Sequence, residues 1–503
     1  MSLLTSSRDA SWIACVDFGT ALSKLVMVEA VDRADLKPEH IKPLAVAVRP
    51  EFRPRNPYLL PSVIFLTDTN VLFGQEAEEA AIRAEHTGRH AFTSPKQYLS
   101  THDAEDLDQP LPKDIDPTGK FTPRDLLKLF LAHMLERAGD DAKQQRLPWP
   151  VLLRIARPAW DAKRAQDGER TLKELVRHAL TLVDKLGSKL ASKGGLPQKA
   201  ALAALKALSR GAPTADGDAK IFKLDDYGRA SILEATAVAS GTIRDSGRRV
   251  VAVADIGGGT SDFGAFMTGL PNKNVLAEIN NSSGILREAG DALDMHLRRY
   301  ILAQAGLLPD DPAARGVSNR LHVRARANKE MLFTEGQLTV EIGDDTLDVT
   351  LDEFLADEHV AAFSGRLRDR FHHTLSLAVS CAQQHRQPYG NRTRVEIMLT
   401  GGGYNLPMIR SLYENPSVPW SYAAPAPDLA ERPEDLDFHS VRRQLAVAIG
   451  GAVRDLPRQA APIRLEQPAL STERRATDAA DDDGVRRRKV ARRGGYLSKL
   501  WSR

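Results

Sequence analysis

The chain has 503 residues, of which 42% are hydrophobic, so it is long enough for two to four domain-sized units with sizeable cores. Its 69 lysines and arginines nearly balance 66 aspartates and glutamates, which excludes a whole-protein charge signature for nucleic-acid or membrane binding. Cys15 and Cys381 are too few for a disulfide framework and favour a reducing compartment. Without a signal-like start or an apolar run of about 18 residues, the sequence predicts a cytoplasmic protein with no transmembrane segment.

Short apolar strands alternate with helices from about residue 11 to residue 453, the pattern of packed α/β layers. Trp12 to Val16 and Val250 to Ala254 are almost continuously apolar, as buried central strands are. Residues 161–220 are rich in alanine, leucine and lysine at helical spacing. That insertion is predicted to be helical, either packed into an enlarged subdomain or presenting a face to a partner protein.

The C-terminal region, residues 456–503, loses hydrophobic periodicity and ends in a basic cluster from Arg486 to Arg493. We expect this basic tail to be disordered and solvated, since charge runs usually are. The alternative is that the tail binds an acidic partner, a nucleic acid or an anionic membrane surface.

The first motif that indicates chemistry follows the strand that ends at Val16. Asp17 comes first, then the turn residues Gly19, Thr20 and Ala21, and a second apolar strand follows. Such a turn allows backbone N–H groups and the threonine hydroxyl to approach phosphate oxygens, with the aspartate facing a hydrated magnesium ion. Alone, the motif is more typical of an ordinary hairpin than of a phosphate site.

A second motif repeats this design after the strand that ends at Ala254. Its residues are Asp255, Gly257, Gly258, Gly259, Thr260 and Asp262. Three consecutive glycines cost backbone entropy on folding, so a purely structural hairpin rarely needs them, whereas close approach to an anion explains them. Two facing hairpins would surround a polyphosphate and hold Asp17, Asp255 and Asp262 around its metal through water.

A third glycine segment, Gly401, Gly402 and Gly403, follows an apolar strand and precedes a helix predicted to begin near Met408. The order and separation of the three segments resemble those of the actin and sugar-kinase superfamily, in which they bind two phosphates and adenosine. The resemblance implies an α/β, actin-like ATPase fold, with two similar lobes of mixed β-sheets and flanking helices around a nucleotide cleft. Lobe I would span residues 1–230 and lobe II residues 231–455.

Smaller features resemble the DnaK-type heat-shock chaperone family from about Ala14 to Val453. They are Leu60-Pro61-Ser62-Val63, Leu72-Phe73-Gly74, Arg157-Pro158, Glu234-Ala235-Thr236-Ala237 and Ala289-Gly290-Asp291. The resemblance implies ATP or ADP and Mg²⁺ as cofactors. It assigns catalysis to Asp255, Glu234 and Asp17, with Asp255 orienting the attacking water.

Two departures from this family affect catalysis and base recognition. Glu78 stands where the resemblance expects a phosphate-facing lysine, and a carboxylate cannot stabilise charge on a transferring phosphate. Lys96 could compensate, although an exposed lysine on a solvated helix is the commoner case. In the adenine pocket, Lys329 keeps its family identity, while Arg326 replaces a missing arginine or forms an ordinary helix ion pair with Glu330.

After residue 453 about 50 residues remain, too few for the peptide-binding half of a DnaK-type chaperone. The leading hypothesis is therefore a DnaK-like ATP-binding protein that acts as a slow ATPase and a nucleotide-driven switch for an unidentified protein partner or client. The alternatives are a non-hydrolysing nucleotide-sensing scaffold, which Glu78 favours, and an actin-like filament protein. Whether the chain is an ATPase is left open by the sequence.

Overall fold

A computed structural model describes residues 11–32, 35–48, 56–149, 151–158, 160, 163–210, 231–242, 249–269, 275–307, 312–343, 345–385, 395–414, 418, 423–425 and 435–465. These residues form a mixed α/β protein. Within these ranges, every helix is too short or too polar to cross a lipid bilayer.

Nineteen strands are present in the described ranges. In chain order they are β1 Trp12–Asp17, β2 Leu22–Glu29, β3 Ile41–Pro43, β4 Leu60–Pro61, β5 Val63–Leu66, β6 Asn70–Phe73, β7 Phe92–Thr93, β8 Leu152–Arg157, β9 Leu196–Pro197, β10 Ser231–Leu233, β11 Arg249–Ile256, β12 Ser261–Thr268, β13 Val275–Glu278, β14 Gly284–Leu286, β15 Gln337–Ile342, β16 Asp345–Thr350, β17 Val395–Thr400, β18 Ala423–Pro425 and β19 Arg458–Gln459.

Fourteen α-helices accompany these strands in the same ranges, with short 3₁₀ turns between some of them. The helices are α1 Gln75–Arg83, α2 Pro95–Thr101, α3 Pro123–Gln144, α4 Ala165–Leu186, α5 Gln198–Arg210, α6 Glu234–Thr242, α7 Gly290–Gln304, α8 Pro312–Val323, α9 Ala325–Glu335, α10 Leu351–Ala356, α11 Glu358–Gln384, α12 Pro407–Glu414, α13 Leu436–Val441 and α14 Ala446–Ala452.

Two mixed sheets share one strand arrangement. The first has the order β10-β8-β1-β2-β3, with β1 parallel to β8 and antiparallel to β2. The second has the order β18-β17-β11-β12-β13, with β11 parallel to β17 and antiparallel to β12. Their central strands β1 and β11 are almost entirely buried, as their continuous apolar sequences predicted.

Helices α6 and α14 pack between these two sheets. One apolar cluster joins Cys15 of β1 and Val251 of β11 to residues of both helices. The helices cross at Gly450, where a β carbon would lie 1.8 Å from the carbonyl oxygen of Ala237. Each helix therefore connects the two sheets, and their crossing depends on a residue without a side chain.

The helical insertion predicted for residues 161–220 contains α4 and α5 where it is described. The apolar face of α4, including Leu172, Leu175 and Leu182, is buried in a cluster that also contains α3. Core packing therefore accounts for the leucine spacing on α4, rather than a partner-binding face. Residues 161–162 and 211–220 lie outside the described part of the chain.

The prediction that the disordered tail begins at residue 456 is wrong, because residues just after it pair with the second sheet. Strand β19 pairs in parallel with β13 of the second sheet, and Ile463 forms a bridge with Ile279. The Ile463 N–H also donates to the carbonyl of Glu278 at 2.8 Å. Residues 458–463 are ordered because they pair with the backbone of β13 at the edge of the second sheet. Hydrophobic periodicity did not indicate this pairing, because it depends on backbone groups. Residues 466–503, with the basic cluster, lie outside the described part.

Candidate functional site

The turn between β1 and β2 carries the first predicted site residues. Asp17 ends β1, and the antiparallel register sets it opposite Lys24, whose Nζ donates to Asp17 Oδ2 at 2.8 Å. Both side chains are buried. A β carbon at Gly19 would lie 2.0 Å from the carbonyl oxygen of Leu22. The turn itself therefore requires this glycine, whatever its role toward a phosphate.

Ser62, from the Pro-Ser motif, braces that turn. Its hydroxyl donates to the Gly19 carbonyl at 2.8 Å, and its N–H donates to the Ala21 carbonyl at 2.9 Å. The hydroxyl of Ser23 lies 2.9 Å from that of Ser62. The motif thus fixes the position of the first hairpin, a structural role that its sequence did not indicate.

The second hairpin, between β11 and β12, repeats the arrangement of the first. Asp255 and Asp262 lie opposite each other in the antiparallel register. The Gly257 N–H donates to the Thr260 carbonyl at 2.9 Å and closes the turn, while the Thr260 hydroxyl donates to Asp262 Oδ2 at 2.9 Å. Two buried carboxylates therefore stand at the end of one strand pair.

The two hairpins touch each other. A β carbon at Gly258 would lie 2.8 Å from the β carbon of Ala21, and one at Gly259 would lie 3.0 Å from Cγ2 of Thr20. The consecutive glycines therefore permit close approach of the hairpins as well as exposing backbone N–H groups. This contact brings the predicted residues of both motifs to one place.

A cavity of about 570 Å³ adjoins the hairpins. Four buried acidic side chains from separate elements line it: Asp17, Glu234, Asp255 and Asp262. Lys96 also lines the cavity and forms an ion pair with Glu234. Only 6% of Lys96 is exposed, so the expectation of a solvated lysine was wrong. The reason is that its side chain extends into the cavity, where it pairs with Glu234 at the start of α6.

Burial and repulsion from neighbouring carboxylates shift the pKa values of Asp255 and Glu234. Burial, reinforced by Asp17 and Asp262, raises the pKa of Asp255 to about 6. Burial raises the pKa of Glu234 to about 7, although Lys96 opposes the shift. Burial lowers the pKa of Lys96, but Glu234 and Asp17 outweigh it and raise that pKa above its usual value. Clustered carboxylates of this kind favour an added cation.

No group of three or more His, Cys, Asp or Glu side chains in the described ranges is arranged to ligate a metal directly. The sequence prediction concerned a magnesium ion held by Asp17, Asp255 and Asp262 through water. Magnesium keeps several of its waters in proteins, so indirect contacts are typical of it. The metal site stays a prediction.

The third glycine segment packs on the second hairpin. A β carbon at Gly401, where φ is +83°, would lie 2.2 Å from the Ile256 carbonyl oxygen, and one at Gly403 would lie 2.5 Å from Cγ2 of Ile256. Gly402 has no atom within 4 Å of such a β carbon. Packing therefore requires Gly401 and Gly403 to be glycines. All three glycines line the cavity, and Gly402 has free space where a side chain would be.

Lys329 secures the start of α7 beside the second hairpin. Its Nζ donates to the Gly290 carbonyl at 2.8 Å and lies 2.8 Å from Asp294 Oδ1. Burial raises the pKa of Asp294, and Lys329 opposes that shift. The lysine thus joins α9 to α7 at the wall of the cavity.

Arg326 forms the helix ion pair that was one of its two predicted roles. Its Nε donates to Glu330 Oε1 at 2.8 Å, and its Nη1 lies 3.7 Å from Oε1 of Glu78. Arg326 and Phe333 line the cavity of the acidic group, whereas Glu78 lines a neighbouring cavity. Arg326 lines both cavities and pairs with the carboxylate that cast doubt on catalysis.

Sequence reasoning missed two residues of this site. Lys24 lies in the strand that follows the first motif, and the register of that strand opposite Asp17 could have identified it. Thr400 donates from its hydroxyl to Asp255 Oδ1 at 2.9 Å, and only the parallel pairing of β17 with β11 brings it there. Both contacts hold carboxylates of the acidic group in place.

Comparisons with known proteins do not assign this chain. No protein-family model matches the sequence, and no curated protein matches it. The function is therefore argued from the fold and from the geometry of the cavity.

Proposed function

We propose that this chain is a DnaK-like, actin-fold protein that binds MgATP between two similar lobes and hydrolyses it slowly. The strongest support is the meeting of two glycine hairpins, each of which follows a central buried strand with an aspartate at or next to its end. The shared strand order of the two sheets adds to it, since a duplicated lobe supplies the same hairpin twice.

The charges that line the cavity fit a nucleotide accompanied by a metal ion. Among the described residues that line it are seven carboxylates, three lysines and one arginine, so the formal charge of this lining is negative. A polyphosphate alone would be repelled, whereas Mg²⁺ neutralises both the phosphates and the carboxylates. Asp17, Asp255 and Asp262 would hold the hydrated ion.

The chain's own residues supply the remaining chemistry. Lys24 and Lys96 are buried cations that can stabilise negative charge on the phosphates. Asp255, with its pKa raised to about 6, is matched to accept a proton from an attacking water near neutral pH. Glu234 is held by Lys96 and would orient water beside the metal.

The nucleoside would lie against the third glycine segment. Gly402 leaves open space there, and Phe333 and Leu406 give the cavity apolar surface. Arg326 and Lys329 approach from α9. This arrangement supports an adenine nucleotide as the ligand, as the resemblance of the three segments implies.

Slow hydrolysis is favoured over a non-hydrolysing scaffold because Lys96 lies among the carboxylates. The scaffold hypothesis rested on the lysine that Glu78 replaces, and Lys96 supplies a buried cation in the same cavity as the hairpin carboxylates. The two lobes would close on ATP and open again after hydrolysis. This movement would change the affinity of the protein for a partner or client protein. The chaperone-type motifs disfavour an actin-like filament protein.

Single-turnover ATP hydrolysis by the purified protein tests this function. We expect Asp255→Ala and Lys96→Ala each to slow the reaction by about 100-fold or more, because each removes a group that faces the phosphates. Lys185→Ala, on the exposed face of α4, is the matched control and should hydrolyse at the wild-type rate.

Binding is measured separately, as stabilisation of the wild-type protein by MgATP in thermal unfolding. Hydrolysis by Asp255→Ala at the wild-type rate would refute the catalytic assignment. Absence of stabilisation by millimolar MgATP would refute the proposed function as a whole.

A further inference from the structure

A second cavity, of about 420 Å³, is lined by residues that flank the third glycine segment: Leu399, Tyr404 and Asn405. The charged and aromatic residues that line it are Tyr404, Arg410, Glu414, His439, Arg442 and Arg443. Among the lining residues that the structure describes, three arginines stand against one carboxylate, a formal charge of +2 with a neutral histidine. This contrasts with the acidic cavity of the hairpins, which needs a metal ion to hold a phosphate.

The arginines come from different elements and converge on one concave surface. Arg410 lies on α12, while Arg442 and Arg443 follow α13. Concave basic surfaces focus the electrostatic potential more strongly than the same charges spread on a flat surface. Three guanidinium groups in one cavity are the donor set that recognises phosphate, because each presents a planar fork of N–H groups.

Neighbouring side chains hold these guanidinium groups. The guanidinium of Arg443 lies 5.2 Å from the centroid of the Tyr404 ring, a cation–π distance. Nη1 of Arg442 lies 2.6 Å from Nδ1 of His439. A guanidinium carries five donors, so such contacts position it and are compatible with binding an anion.

Glu414 is the competing anion in this cavity. Arg410 Nε donates to Glu414 Oε1 at 2.6 Å, one helical turn along α12. Both side chains are more than half exposed, so the pair is weak and an incoming anion can replace the carboxylate. A bound anion would therefore compete with Glu414 for Arg410, and removing the Glu414 charge should tighten its binding.

The wall of this cavity is also part of the first site. The Gly401 N–H donates to the Arg443 carbonyl at 3.3 Å, and Asn405 lines both cavities. An anion that fixes Arg443 would consequently also restrain the glycine segment.

We propose that the cavity bounded by Tyr404, Arg410 and Arg442 binds a small phosphorylated molecule. The site goes beyond the proposed ATP function and does not depend on it. Its ligand is distinct from the MgATP of the acidic cavity, because the basic cavity neutralises phosphate charge with arginine and requires no metal ion.

Isothermal titration calorimetry with inorganic pyrophosphate, in buffer free of divalent cations and at fixed ionic strength, tests the proposal. We expect saturable binding by the wild-type protein that is weakened about tenfold or more in Arg410→Ala and in Arg442→Ala. Glu414→Gln should bind pyrophosphate about two- to fivefold more tightly, since it removes the competitor. This gain cannot arise from misfolding.

Two controls identify the cavity that is occupied. Arg170→Ala removes an exposed, ion-paired arginine on α4 and should leave pyrophosphate binding unchanged. Lys96→Ala alters only the acidic cavity and should also leave it unchanged. Citrate at the same ionic strength should bind more weakly than pyrophosphate if phosphate is the preferred group.

The proposal is overturned by any of four results. They are no saturable pyrophosphate binding at millimolar concentration, wild-type affinity in Arg442→Ala, loss of binding in Lys96→Ala alone, or tighter binding of citrate than of pyrophosphate. None of these results bears on whether MgATP stabilises the protein, so the two proposals fail separately.

Discussion

Asp255 and Glu234 are buried acids that the fold holds close to other carboxylates. Their pKa values rise from 3.8 to about 6 and from 4.5 to about 7. Each folded-state value lies above the unfolded one, so the folded protein keeps these protons at pH values where the unfolded chain has released them. Folding stability contributed by the two groups is therefore present at low pH and is lost as the pH rises from about 4 to about 7.

Replacing Asp255 by asparagine should reduce this pH dependence. In buffer without divalent cations, the wild type should lose stability as the pH rises from 5 to 8, and Asp255→Asn should lose less. We expect the free energy of unfolding of Asp255→Asn, relative to wild type, to be about 1 to 3 kcal/mol more favourable at pH 8 than at pH 5. Urea unfolding at the two pH values measures the change. Asp369→Asn, an exposed position in α11, is the control. Identical pH dependence in wild type and Asp255→Asn would contradict the predicted repulsion.

Among the elements, the crossing of α6 and α14 connects the two sheets. Residues of both helices and of both central strands pack in one apolar cluster. The crossing therefore fixes the position of one sheet relative to the other. The main-chain atoms approach too closely for any side chain at Gly450, whose added β carbon would lie 1.8 Å from the Ala237 carbonyl oxygen.

We expect Gly450→Ala to lower the free energy of unfolding by about 2 kcal/mol or more, because the backbone of α6 must shift to admit the methyl group. Thermal or urea unfolding measures the loss. Gly365→Ala, in α11 with no atom within 4 Å of its added β carbon, should be neutral or stabilising by about 0.5 to 1 kcal/mol. Equal stability of the two variants would show that the crossing tolerates a side chain.

At the scale of the whole molecule, the chain returns to the second sheet after α14 has packed on the first. Strand β19 and the Ile463 bridge extend that sheet beyond β13. Three backbone hydrogen bonds hold the segment, donated by Asn280, Ala460 and Ile463. The segment thus ties the end of α14 to the second sheet.

A protein that ends at Leu456 should therefore unfold more readily than one that ends at Leu465. We expect a difference of about 2 kcal/mol in the free energy of unfolding, since the shorter chain loses three ladder hydrogen bonds and the packing of Ile463. Urea unfolding of the two truncated proteins, with the full chain as reference, measures it. Equal stability would mean that the edge pairing contributes nothing.

Local sequence determined much of this protein. The apolar runs predicted β1 and β11, and the strand-Asp-Gly order predicted both hairpins, because alternation and turn chemistry act over a few neighbouring residues. The leucine spacing likewise predicted α4. The mixed α/β class followed from these elements.

Only the tertiary structure decided how distant residues combine. Lys96 resembled a surface lysine, but it is buried beside Glu234 of α6. Glu78, which had cast doubt on catalysis, lies beside Arg326 of α9. The glycines of the hairpins were assigned to phosphate, yet contacts between Gly258 and Ala21 also require them. Burial, ion pairing and backbone clearance depend on which elements meet, and no local pattern in this sequence encodes that meeting.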